Sequence, residues 1–185
     1  MAYRKTEKVL ASLEARRNSI LASAIDVIAK SGMEGLTTDA IAERAEISVG
    51  LMYQYFPDKS ELLAAVTAQL LARDIDAMRK AIGTRKQAQA LGIGIRVYTS
   101  RVVSNYRIVS EIAKVPSYRL GIKREFKSLI QAVSPPESPA ILASVVAGAI
   151  LETAGSLGPK GEEVLTACLL RVVGVSANRR SKAIA

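Results

Sequence analysis

Apolar residues recur along this chain at helical spacing. Ile20, Leu21, Ala24, Ile25, Val27 and Ile28 make one broad face, which predicts a helix over residues 14–30. Ser31-Gly32 stops it, glycine being suited to a left-handed C-cap. Ile41, Ala42 and Ala45 predict a second helix of two turns, capped by Thr37 or Thr38 and carrying Asp39 where a negative charge suits the helix dipole. Glu46-Ile47-Ser48 breaks that pattern, with Ile47 plugging the angle between helices and Ser48 capping a third over residues 49–55, which Pro57 ends. The third helix is too short to fold alone, so Met52 and Phe56, four apart, must anchor it.

Downstream the same spacing continues. Leu62, Leu63, Val66, Leu70, Ile75 and Met78 predict a helix over 61–80, stopped by Gly83. Further helices are predicted over 86–104, 107–114 (ended by Pro116), 117–132, 140–157 and 162–177. Ser134-Pro135-Pro136-Glu137-Ser138-Pro139 reads as a rigid connector, and Gly158-Pro159-Lys160-Gly161 as a loop. There is no convincing strand pattern, internal repeat or P-loop; Gly92-Ile93-Gly94 lacks the preceding strand and third glycine of a nucleotide fingerprint. The reading is an all-α protein of about nine helices whose first three form a helix-turn-helix.

Composition narrows the chemistry. With 185 residues, nearly half of them apolar, the chain can bury a core in one domain or two small ones. It has no histidine and one cysteine, which excludes an internal disulfide, Cys/His zinc sites and histidine-activated nucleophiles. Cys168, set in Val164-Leu165-Thr166-Ala167-Cys168-Leu169-Leu170, reads as a small core residue rather than a reactive thiol. No catalytic, metal or cofactor constellation stands out, so no enzyme is expected. Arg4, Lys5 and Lys8 precede no apolar run of signal-peptide length, and the chain reads as cytoplasmic.

The net charge of +9 is unevenly spread. The first 60 residues hold eight basic and eight acidic side chains, so the helix-turn-helix third is neutral. Arg85, Lys86, Arg96, Arg101, Arg107, Lys114, Arg119, Lys123, Arg124 and Lys127 carry the excess against only Glu111 and Glu125. Placement, not bulk charge, supports DNA contact: Arg4, Lys5 and Lys8 in an N-terminal arm, Arg16-Arg17 opening the first helix, Lys59 opening the fourth.

Residues 17–63 resemble the DNA-binding domain of TetR-family transcriptional repressors. The match includes Ile20-Leu21, Ala24, Gly32, Thr37-Thr38, Ile41-Ala42, Ala45, Ser48, Gly50, Tyr53, Tyr55-Phe56, Lys59 and Leu62-Leu63. Glu46 departs from it, standing in the turn where the family often has glycine, and must tolerate or avoid a left-handed backbone. The resemblance implies a DNA-binding domain over residues 1–60 and a helical effector-binding and dimerisation domain over 61–185. It implies that Val49, Gly50, Leu51 and Gln54 face the bases, and that Thr37, Thr38, Tyr53, Tyr55 and Lys59 hold the backbone of a double-stranded operator; Arg17 and Ser48 complete the expected DNA-binding set. Gln54 is the one long polar side chain of that helix able to pair twice with adenine, and Val49 and Leu51 suit thymine methyls. Core packing is the plainer role for Tyr53 and Tyr55.

Residues 141–151 are apolar on nearly every side, a pattern that wants partners on more than one face. Three readings fit. A membrane span fails on length, since Glu152 and the connector prolines leave too few residues for about 30 Å of hydrocarbon. Full burial within one chain is the second. The third, favoured here, is packing on a second copy through Ala143, Ala147, Gly148, Leu151, Ala154, Leu165 and Leu169, which agrees with the four-helix dimer interface implied by the resemblance. A homodimer predicts a near-palindromic operator.

The resemblance also implies a small-molecule effector, and Tyr98, Arg101, Asn105, Tyr106, Tyr118, Arg119 and Glu152 supply the polar and aromatic mix of a binding site. The surrounding basic excess suggests an anionic ligand. Release would follow a population shift coupled through the 61–80 helix. Two alternatives are a helical interaction protein without DNA function, which leaves the motif unexplained, and a small helical enzyme, for which no acid–base pair stands out.

Overall fold

The computed structural model describes residues 7–133, 139–157 and 159–175. Among these residues it is entirely helical, in the order α1 (Glu7–Ser31), α2 (Thr38–Arg44), α3 (Val49–Tyr55), α4 (Lys59–Ile82), α5 (Gln87–Ser104), α6 (Tyr106–Ile112), α7 (Pro116–Val133), α8 (Pro139–Thr153), a short 3-10 turn (Ala154–Ser156) and α9 (Pro159–Val172). The chain divides into two compact units, Met1–Gln69 and Leu70–Ala185, and the division falls within α4. Arg4, Lys5 and the connector residues 134–138 lie outside the described residues.

The first unit is built on α1. Ile20, Leu21, Ala24, Val27 and Ile28 are buried with Leu36, Ile41, Ala42, Met52, Phe56, Leu62 and Val66. Gly32, at φ 69°, ends α1 by donating to the Ile28 carbonyl at 2.9 Å. The helix starts at Glu7, seven residues earlier than its apolar face predicts, and takes in Lys8 of the expected arm. Residues 7–19 are exposed on every side. Good helix formers (Leu, Ala, Glu, Lys) and Glu7 in the first turn extend the helix where no core demands it.

The turn between α2 and α3 takes the strained option. Ile47 N–H donates to the Ala42 carbonyl at 3.0 Å and Glu46 N–H to that of Glu43 at 3.1 Å, the paired bonds of a left-handed helix stop. Glu46 occupies the left-handed position, at φ 55°. It is the one described non-glycine residue with positive φ, and its Cβ costs about 1–2 kcal/mol there.

In the second unit α7 packs against α8 and α5, and α9 against α5. The core includes Leu91, Ile95, Tyr98, Tyr118, Ile122, Phe126, Val146 and Ile150. Gly121 of α7 lets α4 come close, since a Cβ there would collide with Leu71. Three prolines sit differently from expectation. Pro116 opens α7 rather than ending α6, which stops at Ile112, Pro139 opens α8 rather than closing the connector, and Pro159 opens α9 inside the expected loop; each occupies the first helical position, where a missing N–H is harmless. Helix α8 gives way to the 3-10 turn after Thr153. Helix α9 ends at Val172, with Gly174 at φ 71° and Val175 N–H donating to Leu170; residue 177 of the expected helix is outside the described residues.

Candidate functional site

Two short helices and their caps form the first candidate surface. The hydroxyl of Thr37 accepts from Ala40 N–H at 3.2 Å and caps α2, and that of Ser48 accepts from Leu51 N–H at 3.2 Å and caps α3. Thr38 is therefore the first helical residue, not the cap. Each capping hydroxyl keeps its own proton free to donate. Asp58 Oδ1 accepts from Glu61 N–H at 2.8 Å, so α4 begins at Lys59, two residues before the predicted start at 61.

Burial sorts α3 into two faces. Met52 and Phe56, four apart, are buried, while Gly50, Tyr53 and Gln54 are exposed on the far side; Val49, Leu51 and Tyr55 are half-buried at the edges. Tyr53 is thus a surface residue and Tyr55 an edge residue. Next to Gly50, the space where a Cβ would stand is open. Arg17 lies over Phe56 with its guanidinium carbon 4.8 Å from the ring centroid, which fixes an exposed cation against the end of α3. Arg44, by contrast, is paired with Asp26 of α1. Arg17, Thr37, Ser48, Tyr53, Gln54 and Lys59 are all exposed within this unit.

The second unit holds a buried polar cluster. Tyr118 donates its hydroxyl to Asp74 Oδ2 at 2.6 Å, and Tyr98 donates to the Tyr118 oxygen at 3.5 Å. Arg101 places both Nε and Nη2 at 2.7 Å from Asp74 Oδ1. The ring of Phe126 meets Tyr98 edge-on at 5.6 Å. Burial above all raises the Tyr98 and Tyr118 pKa values well beyond the ordinary tyrosine value of 10.0, and the neighbouring Asp74 charge adds to this. Both phenols stay neutral and serve as donors.

Only part of the expected effector set converges here. Arg101 and Tyr118 meet at Asp74, and Tyr98 joins them through the Tyr118 hydroxyl. Arg119 instead donates to the Ala113 carbonyl and pairs with Glu152 at the surface. Asn105, exposed, joins α5 to α6 and donates to the Arg101 carbonyl, and Tyr106, also exposed, lies against Gly155. Asp74 and Phe126 join the cluster without being among the expected residues. The signal for Asp74 was present: it is a lone acid at an apolar register of α4, four residues after Leu70 and four before Met78. The basic excess lies elsewhere. Arg107, Lys114, Arg124 and Lys127 are exposed, and Lys114 is held by Glu111. The only buried charge among the described residues is the carboxylate of Asp74, so the cluster lends no support to an anionic ligand.

The expected interface residues are also redistributed. Ala143, Ala147, Leu151 and Leu169 are buried within the chain's own second unit, Leu165 is half-buried, Gly148 faces open space, and the side chain of Ala154 is outside the described set. Helix α8 spends its small residues on its own neighbours. The apolar residues left facing out are Ile141 and Val145 on α8, and Val164 and Val172 on α9. Cys168, between those two valines, is exposed rather than buried in the core. Among the described residues no helix is long and apolar enough to cross a membrane.

Comparison with known proteins places these features. Residues 20–66 match the bacterial regulatory proteins of the tetR family. Over 58 residues the chain is 40% identical to the transcriptional repressor KstR of Rhodococcus jostii, covering 31% of this chain and 27% of that protein. Over 79 residues it is 37% identical to the transcriptional regulator BetI of Paraburkholderia phymatum, covering 42% of this chain and 40% of that one. The aligned part is thus well under half the length of either relative. The fold similarity runs further. A TetR-family regulator from Pectobacterium atrosepticum superposes with a TM-score of 0.63 at 24% identity, over 92% of this chain and 98% of that one. The regulator FadR from Bacillus subtilis, solved in complex with stearoyl-CoA, does so with a TM-score of 0.69 at 17% identity, over 86% and 97%. Residues 20–66 thus match the tetR family of bacterial regulatory proteins, and the helical fold that surrounds them is similar to that of solved regulators of that family.

Proposed function

We propose that this chain is a cytoplasmic DNA-binding transcriptional regulator, a homodimeric repressor that leaves a near-palindromic operator when a small molecule occupies its second unit. The observation that carries the reading is the two-faced third helix: Met52 and Phe56 hold it from behind while Gly50, Tyr53 and Gln54 stand clear. A surface helix kept in place only for folding would have no use for an exposed glycine beside an exposed tyrosine. In this reading Val49, Gly50, Leu51 and Gln54 meet base edges. Arg17, Thr37, Thr38, Ser48, Tyr53, Tyr55 and Lys59 hold phosphates on either side.

Dimerisation supplies the affinity that a charge-neutral head lacks. The outward residues Ile141, Val145 and Gly148 recur on one stripe of α8, and Val164, Cys168 and Val172 on one stripe of α9. Burying both stripes against a second copy gives a two-fold pair whose reading helices address half-sites about 34 Å apart. The relatives named as repressor and regulator support the regulatory role, and FadR with its bound stearoyl-CoA supports a ligand-receiving second unit.

Footprinting on DNA flanking the chain's own coding region tests this reading. Protection of two symmetric half-sites, lost with Tyr55→Ala or Lys59→Ala, is the expected result. Uniform coating of the fragment without a footprint contradicts it.

A further inference from the structure

Helix α7 turns Tyr118, Ile122, Phe126 and Ile130 into the core and leaves Leu120, Arg124 and Lys127 facing solvent. From α6 through α7 the chain carries Arg107, Lys114, Arg119, Lys123, Arg124 and Lys127 against only Glu111 and Glu125. Both acids are engaged and largely covered. Glu111 holds Lys114 at 2.7 Å, and Glu125, its side chain 11% exposed, holds Arg79 of α4 at 2.8 Å. What these two helices show to solvent is therefore cationic.

A groove of about 390 Å³ lies on this surface, lined by the apolar Ala113, Pro116 and Leu120 and by the cationic Lys114, Arg119 and Lys123. The link between α6 and α7 is fixed there: Val115 N–H donates to the Ile112 carbonyl at 2.9 Å, and Arg119 Nε to the Ala113 carbonyl at 2.7 Å. A solitary exposed leucine is ordinary on a protein surface. Leu120, 56% exposed, stands instead in a groove shared with three cations. Lys114 and Arg119 are paired with Glu111 and Glu152 at the surface, in contacts that hold little and exchange readily. Lys123 is half-buried and has no carboxylate partner among the described residues. An incoming carboxylate supplies the anion it lacks.

We infer that this groove docks an acidic peptide segment of a partner protein, with an apolar side chain against Leu120 and flanking carboxylates on Lys123 and its neighbours. Three features select this occupant. A small-molecule site buries most of its ligand, whereas this groove leaves over half of Leu120 open. A nucleic-acid backbone brings phosphates but no apolar group to cover the leucine. A membrane surface needs a row of apolar side chains, and Leu120 is the one large exposed apolar residue of α7 among the described residues. The groove lies wholly within the second unit and stands whether or not α3 reads DNA.

The test uses the full chain and fluorescence anisotropy of a labelled peptide, leucine-phenylalanine flanked on each side by aspartates, at several salt concentrations. The control peptide carries serines in place of the central pair. The parent is expected to bind the first peptide about ten-fold or more tightly than the control, with affinity that falls as salt rises. Leu120→Ser should erase that difference. Lys123→Glu should weaken the first peptide about ten-fold or more, while Lys123→Arg retains it. Arg96→Glu makes the same charge change in a different groove, beside Glu162 and Glu163, and should alter binding less than about two-fold because salt screens distant charge. The inference is overturned if the peptide fails to bind the parent at low salt, or if the serine control binds as tightly. It is equally overturned if Arg96→Glu costs as much as Lys123→Glu, which would leave only bulk charge. Phosphatidylglycerol vesicles and a non-operator DNA duplex are titrated alongside. Binding of either that exceeds the peptide's and is lost with Leu120→Ser would assign the face to a membrane or to nucleic acid and overturn the peptide reading.

Discussion

The Tyr118 hydroxyl lies 2.6 Å from Asp74 Oδ2, joining α7 to α4 through a hydrogen bond buried in the second unit. A donor on a buried carboxylate contributes more than a neutral hydrogen bond, because its loss leaves part of a charge unsolvated. Tyr118→Phe keeps the ring and removes the donor. It is expected to lower stability by about 2 kcal/mol, read as a reduced urea midpoint with an unchanged slope.

The same pair predicts an alkaline limit. Burial raises the Tyr98 and Tyr118 pKa values above the ordinary 10.0, so the folded chain keeps protons that the unfolded chain releases. Their contribution to stability is complete below pH 10 and is lost as pH rises beyond it, by up to about 1.4 kcal/mol per pH unit for each tyrosine. Unfolding measured from pH 8 to 11 should show this decline, and Tyr118→Phe should make it shallower. An equal decline in parent and variant would rule Tyr118 out as its source.

Glu46 holds a left-handed turn that glycine adopts without strain. Glu46→Gly is therefore expected to stabilise the protein by about 1 kcal/mol in chemical denaturation, despite the greater freedom glycine gives the unfolded chain. A loss of stability would mean that the Glu46 side chain makes a contribution larger than its backbone strain.

Substitution at Gly50 tests the proposed DNA contact apart from folding. Its missing Cβ faces open space, so Gly50→Ala should leave stability unchanged or raise it by up to about 1 kcal/mol through helix propensity. The added methyl would stand on the reading face. Operator affinity should fall about ten-fold or more, a loss of about 1.4 kcal/mol. Unchanged affinity would take Gly50 away from the DNA.

Val145 lies on the outward stripe of α8. Val145→Glu sets two carboxylates near each other across a two-fold interface, which costs several kcal/mol. Sedimentation should show the parent as a dimer and the variant as a folded monomer with weakened operator binding. A parent that sediments as a monomer at micromolar concentration would refute the dimer.

The local signals around α3 were strong enough to read directly. Ser48 as cap and Pro57 as stop gave the helix its observed bounds, Val49–Tyr55, and Met52 with Phe56 gave its buried face. The start of α1 was not legible, because residues 7–19 are all exposed and no buried apolar face marks where the helix begins. Helix α8 was legible as an element but not in its orientation. A segment apolar all round does not say which side faces inward, and Ala143, Ala147 and Leu151 turned toward the chain's own core while Ile141 and Val145 turned out. Asp74 was hidden because its partners, Arg101 and Tyr118, stand 27 and 44 residues away. Only the packing of α4, α5 and α7 brings them together.

The central claim, sequence-specific DNA recognition by α3, is tested most directly by selecting fragments of the source genome on the purified full-length protein at several salt concentrations, with Gln54→Ala alongside. The expected result is enrichment of a small set of fragments that share one near-palindromic sequence, with binding that weakens steeply as salt rises and a preference that relaxes at the step Gln54 reads. Failure to enrich any fragment over bulk DNA at any salt concentration would contradict it.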